Sequence, residues 1–167
     1  VQRNSKAEDG QPCLIGLPTA GTPLAQAAAM VAYSERIHVN NGERIVFRIM
    51  KEKPKSHGAN TGWFNGDPRD GQTYWRVDNV TTNGGTKIEM EERFRVDGYP
   101  SVFDAPDKCP VLIWIDRQQG AVERLKQAGF TRIHIAYNLL DITYACGSLG
   151  MWDKKTVESV EREIAEH

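Results

Sequence analysis

Cysteine is scarce in this sequence, and the three present, Cys13, Cys109 and Cys146, lie far apart. Structural zinc sites use closely spaced Cys pairs and small secreted scaffolds use even counts, so the three read as reduced thiols. Long apolar runs are missing. Stretches such as Pro110 to Ile115 fall far short of the roughly 18 to 20 residues that cross a bilayer. A charge excess is missing too, with 21 Lys and Arg against 22 Asp and Glu. A protein living by non-specific phosphate binding usually carries a basic excess, so overall charge names no partner and leaves only a local patch open. The opening Val1-Gln2-Arg3-Asn4-Ser5-Lys6 is polar and lacks the apolar core of a secretory signal. A cytoplasmic protein without membrane contact is expected.

Nucleophile motifs are absent as well. Gly147-Ser148-Leu149-Gly150 lacks the Gly-x-Ser-x-Gly spacing that strains a serine onto an elbow. Asn83-Gly84-Gly85 reads as a hairpin turn and not a phosphate-binding loop, because no helix is expected after it and no Gly-Lys-Ser/Thr appears. His38 and His134 fall in expected strands. Paired-His phosphodiester chemistry needs a hydroxyl residue two positions on, where Asn40 and Ala136 stand, so both read as structural.

What is present fits one globular domain: 167 residues, 40% apolar and 26% charged. Residues 1–21, polar and then punctuated by Gly10, Pro12, Gly16, Pro18 and Gly21, read as an extended N-terminal arm. Residues 22–167 form the domain. Thr22 and Pro23 start a helix whose inward face is Leu24, Ala27, Ala28 and Val31. A turn at Asn40-Asn41-Gly42 leads to a strand over Arg44 to Met50. Residues 51–72, with four glycines and two prolines, read as a long loop.

A hairpin follows, with Thr73 to Val80 and Thr86 to Val96 as its strands. Val111 to Ile115 and Ile133 to Tyr137 read as parallel strands joined by a helix over Gln118 to Ala128. Residues 139–150 are apolar and undecided between helix and strand. Asp153 caps a last helix carrying Val157, Val160 and Ile164. The order predicts an α+β single domain, a mixed β-sheet with about three helices packed against it. Ile113, Leu125, Ile135 and Val122 join the expected core.

Two functions from different classes follow. The first is a non-catalytic binding or assembly subunit acting through the arm and the 51–72 loop, with a protein partner or self-association. Its contact residues are Trp63, Phe64, Lys53, Lys55 and Arg69, because exposed Trp and Arg dominate interfaces; the same residues could stack on a nucleobase while the lysines track phosphates. No cofactor is needed. The alternative is a magnesium-dependent nuclease acting on DNA or RNA, with Asp78 ending one strand and Glu89 and Glu91 on the next. That element order resembles a nuclease core in which Glu-x-Lys follows the Asp, although Glu91 stands where the Lys would be.

Overall fold

The computed structural model describes residues 10–39, 42–51, 63 and 71–166. Seven strands and five α-helices follow one another among them. They are β1 (Gln11–Gly16), α1 (Gly21–Ser34), β2 (His38–Val39), β3 (Glu43–Arg44), β4 (Val46–Ile49), β5 (Gln72–Thr81), α2 (Gly85–Val96), β6 (Val111–Asp116), α3 (Ala121–Gln127), β7 (Ile133–Asn138), α4 (Leu139–Ser148) and α5 (Lys154–Ala165). Five strands make one sheet in the order β4-β1-β5-β6-β7, and every neighbouring pair is parallel. The short β2 and β3 pair antiparallel beside it. This is an α/β architecture, and the expected mixed sheet is wrong.

The correction has two sources. Gln11–Gly16 is no arm but the strand β1, paired on both sides by β4 and β5. Its Cys13, Leu14 and Ile15 are fully buried. Alternation sends Cys13 and Ile15 into one core cluster and Leu14 into another, as a strand covered on both faces requires. The second source is Thr86 to Val96, which is helix α2 and not a hairpin strand. Its inward stripe is Lys87, Glu91 and Phe94, at helical spacing. Two of those three carry charge, so the stripe leaves no apolar 3.6-residue signal, and the alternation of Ile88 and Met90 with Glu89 and Glu91 imitates a strand.

On one sheet face α1 packs over β1, β4 and β5. Its buried residues are Gly21, Ala25, Ala29 and Ala32, while Ala27, Ala28 and Val31 face outward and Leu24 is half-buried. The small side chains let the helix lie close to the sheet, so size overrode hydrophobicity in choosing the face. The helix begins at Gly21, one residue before the expected cap, and the Thr22 hydroxyl donates back to the Gly16 carbonyl at 3.4 Å. On the other face α2 and α3 cover Phe94, Tyr99, Val111, Ile113 and Leu125. The β6–α3–β7 crossover is parallel as expected. Asp153 caps α5, accepting from the Thr156 amide at 2.8 Å. The undecided stretch after residue 138 is α4.

Among the described residues no helix is long and apolar enough to cross a membrane. The turn at Asn40-Asn41 lies outside the described residues, as do Lys53, Lys55, Phe64 and Arg69. Trp63 is described, and it does not face solvent. It bridges to Met50, is 3% exposed, and lies 4.2 Å from the Tyr99 ring and 6.0 Å from that of Phe94. The ring plugs the protein's own core.

Candidate functional site

Strand order locates the site. From β1 the chain passes outward to β4, whereas β5, on the other side of β1, leads away to β6 and β7. The direction of winding therefore reverses between β1 and β5. In open parallel sheets the loops diverge at such a point and leave a crevice outside the carboxyl ends of the strands. A cleft of about 210 Å³ lies there, lined by Pro18, Thr19 and Ala20 after β1 and by Asp78 through Lys87 around the end of β5.

Each wall is shaped by its sequence. Gly21 lets the β1–α1 loop lie against β5: a Cβ there would meet the Val77 carbonyl oxygen at 2.1 Å. The Leu17 amide donates to that same carbonyl at 2.8 Å. Opposite, β5 runs through Val77-Asp78-Asn79-Val80-Thr81, and Thr82-Asn83-Gly84 turns the chain into α2. Gly84 caps the helix at φ +74°, a left-handed conformation that glycine adopts without strain. The Asn83 side-chain oxygen accepts from the Gly85 amide at 3.0 Å. The result is a strand, a Gly-containing loop and a helix N-terminus, where the positive end of the helix dipole lies.

The carboxylates expected to share magnesium do not converge. Asp78 Oδ2 accepts from Lys87 Nζ at 2.7 Å and Oδ1 from the Asn79 amide at 2.9 Å. Lys87 Nζ also donates to the Val80 carbonyl at 3.2 Å. Glu91 lies in the interior, where Oε1 accepts from Arg76 Nε at 2.7 Å and Oε2 from Arg76 Nη2 at 3.0 Å and from the Val102 amide at 2.9 Å. Glu89 is exposed on the outer side of α2. Among the described residues no group of three or more His, Cys, Asp or Glu side chains could hold a metal ion. The reason is the helix: three residues that would share a sheet surface point in three directions once residues 85–96 coil.

Sequence reasoning missed the 78–87 segment as a unit. The signal was there, an apolar strand ending in Asp78-Asn79 and then Thr81-Thr82-Asn83-Gly84-Gly85-Thr86. Reading the second half as a strand removed the helix that gives the loop its meaning.

This sheet order, with its helices, is the type I phosphoribosyltransferase fold. The solved UMP synthase of Leishmania donovani superposes with a TM-score of 0.69 at 18% identity, over 99% of this chain and 30% of that one. The orotate phosphoribosyltransferase of Mycobacterium tuberculosis H37Rv superposes with a TM-score of 0.57 at 20% identity, over 84% of this chain and 67% of that one. In sequence, the chain is similar to the orotate phosphoribosyltransferase of Rhodopseudomonas palustris strain BisB5, 32% identical over 117 residues. That match covers 68% of this chain and 56% of the relative, so the chain spans little more than half the length of such relatives. No protein-family model matches it. The sequence likeness to orotate phosphoribosyltransferases, with the fold that goes with it, overturns both sequence expectations, the non-catalytic assembly subunit and the nuclease.

Proposed function

We propose that this chain carries the phosphoribosyl-binding part of an orotate phosphoribosyltransferase, and that the cleft between the β1–α1 and β5–α2 loops receives the phosphorylated ribose. The observation that supports this best is the strand, loop and helix N-terminus at the point where winding reverses, with Asp78 and Asn79 beside it. A ribose phosphate needs N–H donors for its phosphate and side-chain oxygens or amides for its hydroxyls. The Thr86 amide and the positive end of the α2 dipole serve the phosphate, and Asp78 and Asn79 serve the hydroxyls.

The transfer exchanges one bond at the sugar's C1. The bond to a diphosphate oxygen breaks, a bond to a ring nitrogen of orotate forms, and that nitrogen releases its proton. Diphosphate leaves with its electron pair, so cations near it favour departure. Lys51 ends the run from β4 at the carboxyl edge of the sheet, the edge that holds the cleft. Lys53 and Lys55 follow within the next few residues, and with Arg69 they are our candidates for that role. A cytoplasmic location and self-association accompany this reading. The exposed Met30, Val31 and Tyr33 of α1 are apolar surface that a second copy could cover.

The test is to mix the protein with phosphoribosyl diphosphate and orotate in a magnesium buffer, since diphosphates bind that ion. Orotate should disappear as diphosphate is released, one for one. Absence of donor binding by calorimetry, together with no diphosphate release, would overturn the reading.

A further inference from the structure

Among the described residues lining the cleft, Asp78 and Lys87 are the only charged ones. Lys87 is an odd choice for its place. It sits in the first turn of α2, where the helix dipole disfavours a cation, and its side chain is 4% exposed. A buried ammonium is costly unless paired, and an apolar residue would fill the same stripe without that cost. Its Nζ reaches two groups on β5, the Asp78 carboxylate at 2.7 Å and the Val80 carbonyl at 3.2 Å.

We propose that Lys87 is a positioning residue for sugar recognition. It fixes the Asp78 carboxylate in one orientation, ties the first turn of α2 to the end of β5, and leaves the sugar-facing end of the cleft without net charge. This rests on the phosphoribosyl reading. With Oδ2 held by Lys87 and Oδ1 by the Asn79 amide, the carboxylate cannot swing. Its remaining lone pairs point in fixed directions, and the neutral Asn79 side chain stands next to it. Ribose hydroxyls would then meet a preset pair of groups, and the energy of ordering them is spent in folding and not in binding.

The experiment compares ribose 5-phosphate with inorganic phosphate by titration calorimetry on wild type and K87M. Wild type should bind ribose 5-phosphate about tenfold tighter than phosphate, the size of one hydrogen-bonded contact to a charged group. In K87M that ratio should fall to within about twofold because the sugar contact is lost; the Asp78 charge left unpaired repels both ligands alike, so the ratio reports the sugar contact alone. A general structural defect would lower both affinities and leave the ratio unchanged, which overturns the proposal, as does an unaltered K87M. If K87M does not fold, K87Q replaces it with the same outcomes, since glutamine keeps one donor for the Val80 carbonyl. Failure of the underlying function would show separately, as wild type that prefers neither ligand.

Discussion

Arg76 on β5 and Glu91 on α2 form a two-point ion pair that is almost wholly shut off from solvent, the side chains being 1% and 0% exposed. The rest of the network is satisfied. Arg76 Nη1 donates to the Tyr74 carbonyl at 2.8 Å and Nη2 to that of Pro100, the guanidinium lies 4.3 Å from the centre of the Phe94 ring, and Glu91 takes the Val102 amide. The pair fastens α2, the helix that follows the Thr82-Asn83-Gly84 turn, to the strand that carries Asp78.

Removing one partner should therefore be severe. Glu91→Ala leaves a buried guanidinium without its counter-charge and should cost about 3 to 5 kcal/mol, as for other broken buried pairs. Urea unfolding of wild type and variant measures this, and a loss below about 1 kcal/mol, the value of an exposed pair, would contradict the burial described here.

Trp63 gives a second prediction, opposite to what an exposed binding loop would show. Trp63→Ala removes a ring packed on Phe94 and Tyr99 and should destabilise by about 3 to 5 kcal/mol. A melting curve that barely moves would return the residue to the surface.

The third prediction concerns acid. His134 on β7 lies 5.1 Å from the Trp75 ring, and partial burial, followed by the nearby Arg132 guanidinium, holds its pKa below the usual 6.5. The unfolded chain therefore binds this proton more readily than the folded one, so the imidazole contributes stability above pH 6.5 that is lost as pH falls through the lowered folded value. His134→Gln should flatten that part of the pH dependence. The difference between wild-type and variant unfolding curves from pH 7.5 down to about 5, with imidazole titration by NMR, checks it; a His134 pKa at or above the unfolded value would refute it.

The sequence by itself determined the elements whose apolar pattern is local. β5, β6, α3, β7 and α5 each carry an apolar run or stripe, and Gly129 and Asp153 mark two of their ends. Only the tertiary structure decided the rest. β1 is six residues that follow Gly10, contain Pro12 and end in Gly16; it is a strand because β4 and β5 pair with it on both sides, a non-local cause that local pattern does not carry. α2 is a helix whose inward stripe is charged, and Lys87 and Glu91 are tolerable there only because Asp78 and Arg76 wait on β5. Once that helix exists, the turn at Asn83-Gly84-Gly85 becomes the mouth of a cleft, and the strand order sets the loop after β1 opposite it. Residues distant in sequence built the site, so the identity of the site waited on the fold.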